Sequence, residues 1–188
     1  MARVKPADPA KLNPQDRDFY EKTASYGDFA NLVGTMANRP PIMRNTFGML
    51  LELKAENVLP QRYLELALVT VSKLNECTYC VSHHTPHLRV NGVSDEAAMN
   101  VLDYENQSEF DEVDKLVVEY TIEVTQRWNY VRDEIFERLR AHFSDEQIVE
   151  LTWRIALCGA FNRFNDVLQL DIEAGVDVLE QGEAAAAE

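Results

Sequence analysis

The sequence is poor in the residues on which several other protein classes depend. Its 188 residues include seven glycines, seven prolines and three cysteines. A large all-β protein needs many more turn residues, so this composition favours helices. A secreted domain held together by disulfides would carry more cysteines, in even number. A close cysteine pair in a reducing compartment indicates catalysis or metal binding rather than a structural disulfide.

Long apolar runs and positive charge are also scarce. No uninterrupted apolar run approaches the roughly 20 residues of a membrane span, and the N-terminal residues lack the apolar stretch of a signal peptide. The 18 basic and 32 acidic residues give a formal net charge of −14. Such a surface repels the phosphates of nucleic acids and of anionic membranes. We therefore expect a cytoplasmic protein that binds neither nucleic acid nor a membrane.

The pattern of apolar residues, caps and breakers predicts one all-α domain, a compact helical bundle. We expect an irregular arm over residues 1–12, the bundle over 13–180 and a frayed tail over 181–188. Pro86 lies inside one predicted helix and is expected to kink it or end it near Ser82. The predicted helices cover about 13–26, 28–37, 41–56, 60–74, 76–90, 94–102, 111–128, 132–142 and 144–175.

The chemistry of the chain is concentrated around two cysteines. Cys77 and Cys80 are three positions apart, so on a helix their sulfurs share a face and can meet in a disulfide. We expect Asn75 to cap a helix that begins at Glu76. Cys77 then lies near the positive end of the helix dipole, where a thiolate is favoured. His84 follows Cys80 by four residues, on the same face, and can accept its proton or stabilise its thiolate.

Glu65 is the lone charge in an apolar stretch, twelve positions before Cys77. A buried carboxylate is costly unless it is paired or protonated. One interpretation places this side chain at the surface or beside Arg62. The other has it orient His84 or relay the proton of that imidazole.

Together these residues carry a resemblance to a known family. Glu65, eleven residues, Cys77-x-x-Cys80, three residues and His84 resemble the signature of the alkylhydroperoxidase D-like (carboxymuconolactone decarboxylase-like) family. The resemblance is specific over about residues 40–105. It implies an all-α fold that oligomerises as dimers, trimers or hexamers. It also implies a peroxiredoxin-type oxidoreductase that needs no bound cofactor or metal.

The resemblance also implies a role for each site residue. Cys80 would attack a small-molecule peroxide, and Cys77 would resolve the sulfenic acid as a disulfide that an external dithiol reduces. His84 and Glu65 would relay the proton. The dipole argument favours Cys77 as the more acidic thiol, whereas the position of His84 favours Cys80 as the attacker. We expect Cys80 to attack.

Tyr79 departs from the family pattern, because the best-characterised peroxidase members carry a histidine between the cysteines. A tyrosine hydroxyl still donates a hydrogen bond, so Tyr79 is a supporting candidate, together with His83 and Asn75. Members that decarboxylate carboxymuconolactone generally lack the cysteine pair. Its presence here argues against decarboxylation.

Three alternatives remain open from the sequence. The first is a lyase or isomerase acting on a small carboxylic acid through Glu65 and His84. The second is a non-enzymatic thiol redox sensor. The third is a zinc site built from Cys77, Cys80, His84 and His87. Zinc sites usually draw two ligand pairs from separate segments, and no second pair is present elsewhere.

The third cysteine, Cys158, lies in an apolar run and is expected to be a buried core thiol. Asn162 and Asn165 follow it at helical spacing. They are candidates for lining a pocket, for capping or for an interface.

Overall fold

The computed structural model describes residues 1–179, and every regular element within them is helical. The expected all-α class is therefore confirmed. A short 3₁₀ helix, Pro9–Lys11, interrupts the predicted irregular arm, and a second covers Val101–Asn106. The predicted tail, residues 181–188, lies outside the described residues. The α-helices are α1 (Pro14–Thr23), α2 (Ala30–Ala37), α3 (Pro40–Glu56), α4 (Gln61–Leu74), α5 (Thr78–Val90), α6 (Asp95–Met99), α7 (Glu112–Gln126), α8 (Asp133–Arg140) and α9 (Asp145–Leu168).

Four of the nine α-helices in the described residues begin at a side-chain cap that the sequence indicates, namely Asn13, Ser94, Asp111 and Ser144. The Asn13 side chain accepts a hydrogen bond from the Asp16 amide at the start of α1. Ser144 and Gln147 exchange hydrogen bonds at the start of α9, as a capping box requires. Asp28 does not cap α2, because Phe29 occupies the cap position. The Asn31 amide in the first turn of α2 donates instead to the Glu173 carboxylate at 2.7 Å.

The last helix ends at Leu168 rather than near Gly175. Gln169 adopts a left-handed conformation with φ of 52°, and the Leu170 amide bonds back to the Asn165 carbonyl at 3.0 Å. The left-handed residue turns the chain away from the helix axis, as it does at many helix ends. Among the helices of residues 1–179, none is both long and apolar enough to cross a membrane.

The chain forms two compact units. One comprises Met1–Asn57 and Asn165–Asp177, and the other comprises Val58–Phe164 with residues 178 and 179. This grouping does not test whether the units fold separately, so one domain over residues 13–180 stays a prediction. In the first unit, Tyr26 packs edge-on against Phe47 with ring centroids 5.8 Å apart.

The second unit contains Glu65, Cys77, Cys80 and His84 and is built around α4. Nine consecutive residues of α4, Leu64 to Ser72, are buried, and the helix packs against α5 and α7. Burying each large aliphatic side chain contributes roughly 1.5–3 kcal/mol relative to exposure. The expectation of a buried element is confirmed, and its β-branched residues are helical rather than extended.

Pro86 does not end α5. The helix runs from Thr78 through Pro86 to Val90. Of the two expected effects of Pro86, an end near Ser82 is therefore wrong, and a kink stays a prediction. Proline removes one amide donor, which leaves a single intrahelical bond unmade while the flanking turns stay packed. The Ser82 hydroxyl accepts a hydrogen bond from the Leu179 amide at 2.9 Å, which ties the end of the described chain to this part of α5.

One ion pair connects the start of α4 to the start of α7. The Arg62 guanidinium donates to both carboxylate oxygens of Asp114, at 2.9 and 2.6 Å. Asp114 is fully buried, and its hydrogen bond to Arg62 is the main cause that raises the arginine pKa. The same guanidinium donates to the carbonyls of Asn91 and Glu109. The Arg62 side chain thus holds the loops that carry Asn91 and Glu109 in place.

Arg62→Met is expected to lower the free energy of unfolding by about 3 kcal/mol, because it leaves the Asp114 carboxylate buried without a cation. Urea unfolding followed by circular dichroism measures this change. The matched control is Arg89→Met, which breaks an exposed pair with Asp95 and should cost less than about 1 kcal/mol. Equal losses in the two variants would contradict the buried-pair account.

Candidate active site

A tight turn between α4 and α5 positions the cysteine pair. Glu76 is in the left-handed region with φ of 56°. The Cys77 amide donates to the Ser72 carbonyl at 2.9 Å, and the Glu76 amide donates to the Lys73 carbonyl at 3.2 Å. These two bonds form a Schellman motif, which closes α4 and reverses the chain direction. The turn takes up only Asn75, Glu76 and Cys77, so α5 begins at once.

This turn corrects the expected role of Asn75. Asn75 ends α4 and does not cap α5, which begins at Thr78 with Cys77 at its cap position. The motif usually has glycine at the left-handed position. Because this chain has a glutamate there, the sequence does not reveal the motif. Cys77 is thus the cap residue itself, and Cys80 lies in the first turn of α5. Both sulfurs are therefore near the positive end of the α5 dipole, which stabilises negative charge on either one.

The two thiols lie against each other. The Sγ atoms of Cys77 and Cys80 are 2.8 Å apart, and the residues are not joined in a disulfide. Cys77 is fully buried and Cys80 is 4% exposed. A disulfide requires the sulfurs to approach to about 2.05 Å. Oxidation can therefore join them with a small movement of the side chains.

Glu65 and His84 form a buried pair across the contact of α4 and α5. The His84 Nδ1 lies 2.9 Å from the Glu65 Oε2, and the side chains are 14% and 5% exposed. The second carboxylate oxygen accepts a hydrogen bond from the Gln61 side chain. Arg62 pairs with Asp114 instead. The structure thus brings Glu65 to His84, as the functional interpretation of the sequence expected.

The carboxylate determines which nitrogen of His84 carries a proton. An ionised carboxylate only accepts hydrogen bonds, so the Nδ1 of His84 donates to Glu65. In the neutral ring the Nε2 then has the lone pair and can take up a proton. Cys80 lies one helical turn earlier on α5, on the face that His84 shares. The imidazole that is bonded to Glu65 therefore shares one face of α5 with the Cys80 thiol.

Tyr79 and His83 form a second, separate pair on α5. Their rings stack with centroids 4.2 Å apart and planes inclined by 24°. The His83 Nδ1 lies 2.6 Å from the Tyr79 carbonyl, and a carbonyl only accepts, so this nitrogen donates. Both side chains are 4% exposed. They form part of the packing around the thiols rather than an open surface.

A buried polar network lies behind the turn. The Asn75 side chain donates to the Asn162 Oδ1 at 2.8 Å, and the Asn162 amide nitrogen is 3.4 Å from the Ser72 Oγ. Ser72 in turn contacts the Cys158 Sγ at 3.5 Å. The network therefore connects the turn that holds Cys77 to the third cysteine, through α9.

The ligands of the zinc alternative do not gather into one site. Within residues 1–179, no three histidine, cysteine, aspartate or glutamate side chains converge in a way that holds a metal ion. His87 is exposed, on α5 beyond Pro86. Its backbone carbonyl accepts a hydrogen bond from the Asn91 side chain.

The comparisons with known proteins agree with this geometry. Residues 40–105, which contain α4, the turn and α5, match the sequence profile of the carboxymuconolactone decarboxylase family. This segment belongs to that family. Over 107 residues the chain is 29% identical to YdfG of Bacillus subtilis strain 168, an uncharacterised protein. That stretch covers 54% of this chain and 69% of the relative.

Solved structures share the fold across nearly the whole chain. An alkylhydroperoxidase D core protein of Ralstonia eutropha JMP134, a peroxidase-related protein, has a TM-score of 0.76 at 22% identity over 93% of both chains. A cysteine-to-alanine variant of the debrominase Bmp8, in complex with 2,3,4-tribromopyrrole, has a TM-score of 0.72 at 21% identity over 93% of both chains. At these identities the likeness shows the fold. It confirms the alkylhydroperoxidase D-like architecture.

Gln61 lies next to the residues of the family signature, and its role was not predicted from the sequence. It lies one turn before Glu65 on α4 and donates to its carboxylate. The spacing of four residues was a usable signal, since a glutamine one turn before a buried glutamate can satisfy it. Nothing in the sequence pairs Asn75 with Asn162, because the two are far apart in the chain.

Cys158 is expected to stay unreactive in the folded protein. Burial raises the pKa of its thiol from 9.0 to about 12, so the reactive thiolate is absent near neutral pH. In a Cys77→Ser, Cys80→Ser protein, iodoacetamide should leave Cys158 unmodified until denaturant is added, as measured by mass spectrometry. Because this pKa is higher in the folded protein than in the unfolded chain, the thiol contributes to the free energy of unfolding. The full contribution is present below about pH 9 and is lost as the pH rises toward 12. Rapid alkylation of the native protein would contradict this prediction.

Proposed function

We propose that this protein is a thiol-dependent peroxidase in which Cys80 attacks the peroxide. The observation that carries the proposal is the pair of facing sulfurs, 2.8 Å apart, beside a histidine whose Nδ1 is held by a buried carboxylate. This arrangement supplies a nucleophile, a base and a resolving thiol within one contact of two helices. The family match supports a peroxidase-related or decarboxylase-like enzyme, and the thiol pair favours the first.

The first step transfers one oxygen atom from the peroxide to Cys80. The His84 Nε2 takes the Cys80 proton, and Glu65 stabilises the resulting imidazolium. The thiolate attacks one oxygen of the hydroperoxide ROOH, and the O–O bond breaks. Cys80 becomes a sulfenic acid, and the leaving alkoxide receives the proton from His84 and departs as an alcohol, ROH.

The second step converts the centre to a disulfide. The Cys77 sulfur attacks the Cys80 sulfur, the S–O bond breaks, and the hydroxyl leaves as water with the Cys77 proton. An external dithiol then reduces the disulfide by thiol–disulfide exchange and is itself oxidised. Cys77 suits this resolving role because it is fully buried, whereas Cys80 shares a helix face with His84.

A second reaction would use the same two electrons. In a reductive debromination, a dithiol and an aryl bromide give a disulfide, the hydrogen-substituted ring and hydrogen bromide. This reaction requires two neighbouring thiols, which Cys77 and Cys80 provide. The fold shared with the debrominase Bmp8 supports debromination as a second candidate function. Release of bromide from a bromopyrrole by the reduced protein, lost in Cys80→Ser, tests this second candidate.

Cys80→Ser is expected to abolish peroxide consumption, because no sulfenic acid can form at the attacking position. Cys77→Ser should instead allow a single turnover that ends in a sulfenic acid on Cys80, which dimedone traps. Mass spectrometry of the peptide that carries both positions, after a slight excess of cumene hydroperoxide, distinguishes the two. Unchanged consumption by Cys80→Ser would overturn the assignment. Activity toward a small acid that survives loss of both cysteines would favour a lyase.

Glu65→Gln is expected to slow the oxidation of Cys80 by about 10²-fold, because it removes the charge that stabilises the His84 imidazolium. The variant should fold, since Gln61 can rotate its amide to donate to or accept from the new amide. Stopped-flow measurement of thiol loss gives the rate.

Glu134→Gln is the matched control, since it makes the same change at an exposed position of α8 and should leave the rate unaltered. A wild-type rate in Glu65→Gln would remove Glu65 from the mechanism without touching the role of Cys80.

A further inference from the structure

Three helices of the second unit enclose a cleft that the proposed peroxidase chemistry does not use. It lies between the end of α4, the end of α7 and the middle of α9, and its volume is about 240 Å³. Its walls are mainly apolar and include Val71, Val124 and Ile155. None of its lining residues is a cysteine, Glu65 or His84. The cleft is thus a separate cavity with its own chemistry.

Arg163 supplies the charge of this cleft. Its Nη1 donates to the Gly159 carbonyl at 2.7 Å, and in the part of the chain that the structure describes no carboxylate pairs with it. This is notable in a protein with 32 acidic and 18 basic residues. A guanidinium has five N–H donors, so most of them stay available to an anion that enters the cleft.

A second donor lies close to Arg163. The Asn75 Nδ2 uses one hydrogen for Asn162 and has a second. The absence of a side chain at Gly159 keeps this corner open, because a Cβ there would lie 3.3 Å from the Arg163 Nη1 and 4.0 Å from the Asn75 Nδ2. Two donor groups therefore face the same small space, and the two oxygens of a carboxylate can accept from both.

Trp128 completes the cleft on the side of α7. Its side chain is 74% exposed, although it lines the cavity. An indole at the mouth of an apolar cleft offers a face for stacking on another ring. Ligand pockets for drug-sized molecules occupy roughly 300–1,000 Å³, so this smaller cleft suits a ligand with a single ring.

We propose that this cleft binds a small aromatic carboxylate. The ring lies between Trp128 and the apolar wall, and the carboxylate accepts hydrogen bonds from Arg163 and Asn75. This site goes beyond the peroxidase proposal and does not depend on it. The two are connected only through Asn75, which belongs to the turn that holds Cys77. Occupancy of the cleft therefore restrains the side chain of a residue in that turn.

Calorimetric titration with sodium benzoate tests the proposal on a protein in which both Cys77 and Cys80 are replaced by serine. That protein cannot carry out thiol chemistry, so failure of the peroxidase proposal and failure of this one are told apart. Benzamide, a neutral analogue of the same shape, should bind at least about tenfold more weakly, because it lacks the charge that strengthens the bond to Arg163. No binding of benzoate, or equal binding of benzamide, would overturn the proposal.

Two variants locate the binding. Arg163→Met should weaken benzoate binding by about tenfold or more. Ala156→Leu, at an exposed helical position that lines the cleft, should block it while α9 stays intact. Arg140→Met removes the same charge from α8, where the guanidinium lies over Phe136, and should change nothing. Wild-type affinity in both cleft variants, or an equal loss in Arg140→Met, would show that benzoate binds elsewhere.

Discussion

The reversal of the chain between α4 and α5 is the constraint on which the rest of the site depends. Only Asn75, Glu76 and Cys77 lie between the two helices, and the Schellman bonds at Ser72 and Lys73 fix their conformation. Because the turn is so short, the helices leave it antiparallel and in direct contact. The same turn places Cys77 at the cap position of α5 and lets Glu65 on α4 reach His84 on α5. A longer connection would loosen both arrangements at once.

The turn and the pair of Glu65 with His84 have a stability cost that the core offsets. A residue other than glycine in the left-handed region costs roughly 1 kcal/mol, and a buried carboxylate is unfavourable unless its oxygens are satisfied. Here the two oxygens accept from Gln61 and His84. The burial of the apolar side chains of α4, among them Leu66, Val69 and Val71, supplies the compensating stability. Polar groups that are buried and fully paired hold one geometry.

The third cysteine lies close to Cys77 and Cys80 but has a different environment. Cys158 belongs to the network that reaches the turn through Ser72 and Asn162. Its own burial keeps it protonated. Cys77 and Cys80 differ from it in their position at the end of a helix, where unpaired amides favour negative charge. The fold thus separates two thiols suited to exchange from one that packs as a small apolar side chain.

The sequence by itself determined the all-α class, the helix starts at Asn13 and Ser144, and the four residues of the family signature. These are local features, because capping, periodicity and spacing act over a few residues. It did not determine the role of Asn75, because the glutamate in the left-handed position masks the end of α4. It also left open whether Pro86 ends α5, and the helix continues because packing against α4 and α6 outweighs one missing hydrogen bond. Only the tertiary structure decided that Glu65 faces His84 rather than Arg62, that Gln61 satisfies its second oxygen, and that Asn162 reaches Asn75. The contacts of Glu65 with His84 and of Asn75 with Asn162 join segments that are far apart in the chain, and no local pattern specifies them. The spacing of Gln61 and Glu65 permits their bond, but only the fold determines that this face of α4 is buried.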